Sequence, residues 1–273
     1  MENDLEMTKI RVIFMGKDKP TVIKALEQLL AKNIEITAIV GPTKDKITYG
    51  RSSLKETAKK NGIKFVEDIE IYEKLRKGNE SNFLKEIDLV ISFLYWKKIK
   101  SSLIELPRIG CINFHPAALP DFRGVAGYSI AILEKMSHWG VSAHFIDEDF
   151  DTGDIINVKR FKINSNKETA FSLEQKSQEK LLNLFNEIIN KLLRTKKIPR
   201  KKQSKKVGRY ISKKYFEKLR KINPGDSKEV INRKIRAFWY PPFSGAYVKI
   251  KNQEFTILND ELLKEIGNRY HKD

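Results

Sequence analysis

Asn113 and His115 stand two apart in the apolar run Gly110-Cys111-Ile112-Asn113-Phe114-His115-Pro116. Asp151 follows in the acidic stretch Asp147-Glu148-Asp149-Phe150-Asp151-Thr152-Gly153. On a β-strand, residues i and i+2 face the same way, so the amide and the imidazole are expected to aim at one spot. Pro116 cannot continue a ladder in a central strand, so the chain is expected to leave the sheet there. His115 then ends its strand at the carboxyl edge, where open α/β sheets bind ligands. Gly153 permits a sharp bend. If the acidic turn folds back, amide, imidazole and carboxylate meet.

Such a trio suits acyl transfer to an amine. An Asn113 N–H can donate to the oxyanion of a tetrahedral intermediate. His115 can hold or move a proton near neutrality, and Asp151 can fix its tautomer and favour imidazolium. The structural alternative is a buried histidine capped by a core asparagine, with Asp151 a turn residue only. Cys111 could serve as a nucleophile, but its place in an apolar strand favours a small buried core residue.

The elements that must position these groups follow from hydrophobic period. Residues 10–16 form a buried strand, 21–32 carry helical spacing and 35–40 form the next strand, the β-α-β opening of a doubly wound sheet. The turn after the first strand has no Gly-x-Gly-x-x-Gly, which argues against a dinucleotide site in a Rossmann-like frame. A polar loop spans 43–51, Ser52 or Ser53 caps the next helix, and 63–66 form a short strand. Further strands are expected at 88–93, 110–115, 139–146 and 154–161. Helices are expected over 124–136, where Arg123, Gly124 and Gly127 mark the start, and over 169–193, whose stripe from Phe171 to Leu192 reads as core. Beyond it lie a helix over 212–221, a turn at 223–226, a helix capped by Ser227 and a hairpin over 248–258. The expected division is a catalytic domain, 1–194, a basic linker, 195–211, and a small carboxy-terminal helix and β-hairpin module, 212–273.

The chain has 273 residues, 40% hydrophobic, which is ample for a core. No apolar run approaches the ~18 residues of a membrane span, and the acidic amino terminus does not read as a signal peptide. One cysteine excludes an internal disulfide framework and fits a reducing cytoplasm. The four histidines and one cysteine show no metal-ligand spacing, so no metal is expected. The net charge of +18 is concentrated: residues 191–221 hold 15 of the 53 Lys and Arg and a single acid, Glu217. Such a run either attracts nucleic acid, an anionic membrane surface or a diphosphate, or is a solvated connector, the favoured reading.

Asn-x-His-Pro at 113–116, Leu-Pro-x-x-Arg-Gly at 119–124 and Gly-Val-x-x-His-x-x-x-x-x-x-Asp-Thr-Gly at 140–153 occur in order. Together they resemble the 10-formyltetrahydrofolate-dependent formyltransferases. The resemblance implies the formyltransferase form of the Rossmann-like, mostly parallel α/β sheet, and a catalytic triad of Asn113, His115 and Asp151. It implies folate contacts from Lys97, Lys98, Ile99, Ala117, Leu119, Pro120, Asp147 and Asp149, and contacts to the second substrate from Arg123, Gly124, Tyr128 and His144. Tyr95 and Trp96 could equally pack on the sheet edge. The resemblance covers nearly the whole chain, most strongly at 88–161 and 227–250.

Within that family the loop 92–99, Gly127-Tyr128 and His144 are most like the nucleotide-linked amino-sugar N-formyltransferases. The short tail after Asn223 agrees, whereas methionyl-tRNA formyltransferases carry a fuller carboxy-terminal barrel. The expected reaction moves the formyl group of 10-formyltetrahydrofolate to the amine of a nucleotide-linked amino sugar, such as a dTDP-4-amino-4,6-dideoxyhexose, for lipopolysaccharide or O-antigen synthesis. A cytoplasmic homodimer is expected. Methionyl-tRNA formyltransferase is the alternative, with the basic segment and Tyr210, Tyr215 and Phe216 contacting nucleic acid. A non-catalytic RNA-binding or scaffold protein is the third reading, weakened by the intact triad.

Overall fold

The computed structural model describes residues 9–42, 53–67, 69–77, 81–124, 127–204 and 207–270. The polar loop at 43–51 and Ser52 lie outside these residues. In chain order the first half runs β1 (Ile10–Met15), α1 (Pro20–Leu30), β2 (Ile34–Gly41), α2 (Leu54–Lys60), β3 (Phe65–Glu67), α3 (Glu70–Arg76), β4 (Leu89–Phe93), α4 (Ser101–Ile104) and β5 (Gly110–His115). It continues through β6 (Phe122–Gly124), α5 (Gly127–Leu133), β7 (His138–Phe145), β8 (Ile155–Lys162) and α6 (Ala170–Thr195). The last part comprises β9 (Arg209–Ile211), α7 (Lys213–Leu219), α8 (Lys228–Phe238), β10 (Tyr247–Ile250), β11 (Gln253–Thr256) and α9 (Asp260–Tyr270).

Seven strands form one sheet in the order β3-β2-β1-β4-β5-β7-β8. β1 to β5 pair in parallel, and β7 runs antiparallel to both β5 and β8. Central parallel strands are covered on both faces, so they read as continuous apolar runs. On one face Val12, Phe14, Ile91 and Phe114 pack with Leu26 and Leu29 of α1, Leu54 of α2 and Leu184 and Phe185 of α6. On the other, Ile13, Met15, Val90 and Cys111 pack with Ile71 of α3 and Leu103 of α4. The Rossmann-like, mostly parallel arrangement is therefore the observed one.

Caps set the helix starts. Ser53 accepts from Glu56 N, Ser212 from Tyr215 N and Ser227 from Val230 N. Thr169 and Ser172 form a reciprocal capping box at the start of α6. The expected helix over 124–136 is shorter. Residues 122–124 instead pair in parallel with β9, and Gly124 has a φ of +82°, which no right-handed helix accommodates. The carboxy-terminal hairpin forms as expected, and α9 is an addition to it. Leu262 of α9 joins Ile235 and Phe238 of α8 in a satellite core against Ile132 of α5 and Ala170 of α6.

Candidate active site

β5 delivers Asn113 and His115 to the carboxyl edge, between β4 and β7. Asn113 is registered with Ser92 on one side and His144 on the other. Its amide is consequently oriented from both flanks. Ser92 Oγ donates to Asn113 Oδ1 at 2.8 Å, and Asn113 Nδ2 lies 3.1 Å from His144 Nε2. His144 Nδ1 is 2.7 Å from the Phe145 carbonyl, which can only accept. Nδ1 of His144 therefore carries a proton, and Nε2 faces both the Asn113 amide and Asp151 Oδ1, at 3.1 and 3.5 Å. One Asn113 N–H is left for an oxyanion.

Asp151 reaches this spot because its turn doubles back between β7 and β8. The turn needs a glycine at 153, since a Cβ there would stand 2.0 Å from the Phe145 carbonyl oxygen. Asp151 itself adopts a φ of +58°, a region that aspartate tolerates better than most residues. Its Oδ1 lies 3.5 Å from His115 Nδ1 and 3.5 Å from His144 Nε2. Its Oδ2 accepts from Gly124 N at 3.0 Å. Burial pushes the Asp151 carboxyl up, but His115, His144 and the Gly124 N–H outweigh it and hold the group well below the usual carboxylate range.

For His115, burial wins. It lowers the ring below its ordinary value of 6.5, although Asp151 and the Phe122 carbonyl pull the other way and His144 adds to the lowering. The Asp151 carboxylate favours imidazolium, and desolvation of the ring opposes it and is larger. His115 Nε2 lies 3.3 Å from the Phe122 carbonyl and Nδ1 faces Asp151. A neutral ring has one proton for these two acceptors, and a second proton, on Nδ1, would face the carboxylate. The thiol of Cys111 is pushed far up by burial alone, which leaves it a core residue and not a nucleophile.

The other sequence-derived positions divide into four groups. Ala117 and Leu119 are buried beside the triad, their loop held by Ser142, whose Oγ donates to Ala117 O at 2.7 Å and accepts from Leu119 N at 2.8 Å. Pro120 follows them, and Ile99 is buried in the core on the α3 and α4 face. Asp147 accepts from Thr152 Oγ1 at 2.6 Å across the acidic turn, while Asp149 is exposed on it, as are Lys97 and Lys98 on the loop after β4. Buried apolar residues, backbone carbonyls and carboxylates of this kind fit a pterin, which is flat and offers ring N–H donors. Gly124 and His144 touch the triad directly. Arg123 and Tyr128 do not join it. The Arg123 guanidinium turns onto Ser204 O at 2.8 Å. Tyr128 packs on Trp139 with ring centroids 6.0 Å apart, and Glu174 and Ser177 of α6 are its polar neighbours.

Gln203 is absent from the sequence-derived set. Its Nε2 donates to the carbonyls of Asp151 and Gly153 at 2.9 and 2.7 Å, which pins the acidic turn from outside. The segment around it is docked and is no solvated connector. Arg200 lies over the Phe145 ring at 3.5 Å, Lys201 exchanges backbone bonds with Ile155, and β9 pairs with β6. No local spacing signals Gln203, because its partners lie some fifty residues away in sequence.

The sequence model of the formyl transferase family matches residues 10–189. A methionyl-tRNA formyltransferase of Wolbachia pipientis subsp. Culex pipiens is 30% identical over 261 residues, 92% of this chain and 81% of that protein. A GDP-perosamine N-formyltransferase of Brucella melitensis biotype 1 is 30% identical over 179 residues, 66% of this chain and 67% of that protein. The crystal structure of WlaRD, a sugar 3N-formyl transferase in the presence of dTDP and 5-N-formyl-THF, superposes with a TM-score of 0.70 at 25% identity, covering 93% of this chain and 88% of that one.

Proposed function

This chain belongs to the formyl transferase family, and from that membership we propose that it moves the formyl group of 10-formyltetrahydrofolate to the amine of a nucleotide-linked amino sugar. That it is a formyltransferase drawing on formyl-tetrahydrofolate follows from the family itself. The choice of amine rests on one observation: nearly the whole chain overlays a sugar 3N-formyl transferase. The basic segment supports it, because Arg200 and Arg209 are engaged internally, on Phe145 and on Glu134. In this reading the protein is a homodimer whose product enters surface polysaccharide synthesis.

The reaction joins the amine nitrogen to the formyl carbon, releases N10 of the folate and carries one proton from the amine to N10. Asn113 supplies its remaining N–H to the oxyanion, held in place by Ser92 and His144. His115, kept neutral by burial, is able to take a proton, and the Asp151 carboxylate stabilises the imidazolium that results. A site already hydrogen-bonded before substrate arrives reorganises little during the reaction, which is where such electrostatic stabilisation gains its size.

Methionyl-tRNA formyltransferase is the second reading, favoured by 30% identity over most of the chain. The two separate in one assay: release of tetrahydrofolate from 10-formyltetrahydrofolate with a panel of dTDP- and GDP-linked amino sugars, and with charged initiator tRNA. Turnover with a nucleotide amino sugar and none with tRNA is the expected result. Turnover with tRNA alone would overturn it.

A further inference from the structure

We propose that Glu174 is a positioning residue for His115, acting through Tyr128 and Trp139 and itself held by Lys19 and Tyr240. This rests on the formyl-transfer reading above. Lys19 precedes α1, Glu174 lies near the start of α6 and Tyr240 follows α8, so three distant parts of the chain converge. The Lys19 ammonium and the Tyr240 hydroxyl both donate to Glu174 Oε1, and they stand 3.2 Å from each other. Lys19 and Glu174 are only 2% and 7% exposed. Beside them Phe171 N donates to Trp239 O at 3.0 Å, and Phe243 stacks on Tyr240 with ring centroids 5.4 Å apart. The carboxy-terminal module is thus clamped onto α6 around a buried ion pair.

A buried ion pair is a poor source of stability, because both charges lose their water, and an apolar pair of the same size often does as well. What such a pair supplies is fixed geometry. The group fixed here is the Glu174 carboxylate, which with Ser177 forms the polar surroundings of the Tyr128 hydroxyl. Burial and the Glu174 charge both push the Tyr128 hydroxyl up, so it stays protonated and able to donate. The Tyr128 ring lies on Trp139, which is 2% exposed and touches both flanks of His115. Trp139 Nε1 donates at 3.2 Å to the carbonyl of Pro116, the residue after His115. The Trp139 ring packs on Phe122 with centroids 4.9 Å apart, and the Phe122 carbonyl lies 3.3 Å from His115 Nε2. A Cβ on Gly127 would meet the Trp139 ring at 2.7 Å, so the start of α5 has no slack against it. Interiors packed this closely transmit displacement. Movement of Tyr128 therefore reaches both flanks of His115, whereas Asn113 is held separately by Ser92 and His144.

The test is the double variant Lys19→Met/Glu174→Met in the full-length protein, assayed with the acceptor that the wild type formylates. Replacing both charges by apolar groups of similar length should leave the melting temperature within about 5 °C. The kcat should fall about tenfold, with KM for the acceptor and affinity for 5-formyltetrahydrofolate within about twofold. Tyr128→Phe should lower kcat to a similar extent in the wild type, but by less than about twofold in the double variant, where the link is already cut. Wild-type kcat in the double variant overturns the proposal and leaves the clamp purely structural. A full, independent loss from Tyr128→Phe in that background overturns it too. If the double variant does not fold, Tyr240→Phe, which removes one hydroxyl, takes its place. Its kcat should fall about threefold at unchanged KM, and an unchanged kcat overturns the proposal. A wild type that formylates charged tRNA alone overturns the amino-sugar reading, and the same comparison made on tRNA still decides the role of Glu174.

Discussion

The cluster around His115 and the basic segment 191–221 lie against each other, yet they treat charge in opposite ways. In the cluster, His115, His144 and Asp151 are nearly shut off from solvent, and their polar neighbours are Ser92, Asn113, the Gly124 N–H and two carbonyls. The basic segment carries far more charge, but Lys201, Lys202, Lys213 and Lys214 are exposed, where water and salt screen them. Few charges in a dry setting therefore perturb one another strongly, while many charges in water govern little unless a polyanion arrives. The segment's hydrogen bonds to the acidic turn come from a neutral residue, Gln203.

The largest expected effect tests the dry side of that contrast. His115→Ala should lower kcat by about 10²–10³ or more while folate affinity stays within several-fold, measured by tetrahydrofolate release and by folate titration. A variant with half the wild-type rate would remove His115 from the chemistry. Asp151→Asn should cost roughly 10² in kcat/KM and move the acid limb of its pH profile to lower pH. The sign follows from the geometry: Asp151 raises the His115 pKa against burial, so removing its charge lets the ring fall further. An unmoved limb with an unchanged rate would leave Asp151 a turn residue.

Gln203→Ala tests whether the two regions are coupled. It should reduce kcat about tenfold with KM nearly unchanged, because the acidic turn loses both its outside hydrogen bonds and Asp151 loses its fixed position. Gln203→Glu should not rescue it, since a carboxylate cannot donate to the two carbonyls. Wild-type kcat in the alanine variant would uncouple the segment from the site.

A smaller effect concerns stability. The folded site refuses a proton that the unfolded chain accepts on His115 below its ordinary pKa of 6.5, so stability should fall as pH drops below that value. Asp151 has the same sign at lower pH: its contribution is present above its ordinary 3.8 and is lost as acid reaches its depressed pKa. Urea midpoints across this range should flatten near pH 6 in His115→Gln; an identical slope would place the linkage elsewhere.

The smallest effect belongs to the wet side. Neutralising Lys201, Lys202, Lys213 and Lys214 together should change kcat/KM for a nucleotide amino sugar by less than about twofold. If charged tRNA is the substrate, each lost phosphate contact should flatten the salt dependence by roughly 0.7 to 0.9 in log–log slope. That outcome would erase the contrast between the two regions and favour the methionyl-tRNA reading.

Much of this organisation is legible in one dimension. The period-two placement of Asn113 and His115, the strand end at Pro116, the apolar stripe of α6 and the serine caps are all contacts within four residues, and backbone geometry alone converts such spacing into shared faces. The three spaced motifs were enough to point to the family. The helix over 124–136 was misread for the same reason the rest succeeded: local spacing cannot register that β9, arriving some 85 residues later, pairs with 122–124.

The residue types and their order were set by the sequence, and with them the chemistry on offer: an amide, an imidazole and a carboxylate at the end of a parallel strand. Only the tertiary structure decided how those groups behave. It brought His144 to Asn113 through antiparallel pairing of β5 and β7, and Gln203 to the acidic turn through the bridge to Ile155. It also decided that the His115 pKa is lowered, since the sign of that shift comes from how much water the surrounding strands exclude. Desolvation is a property of the whole packed neighbourhood, and no spacing between residues records it.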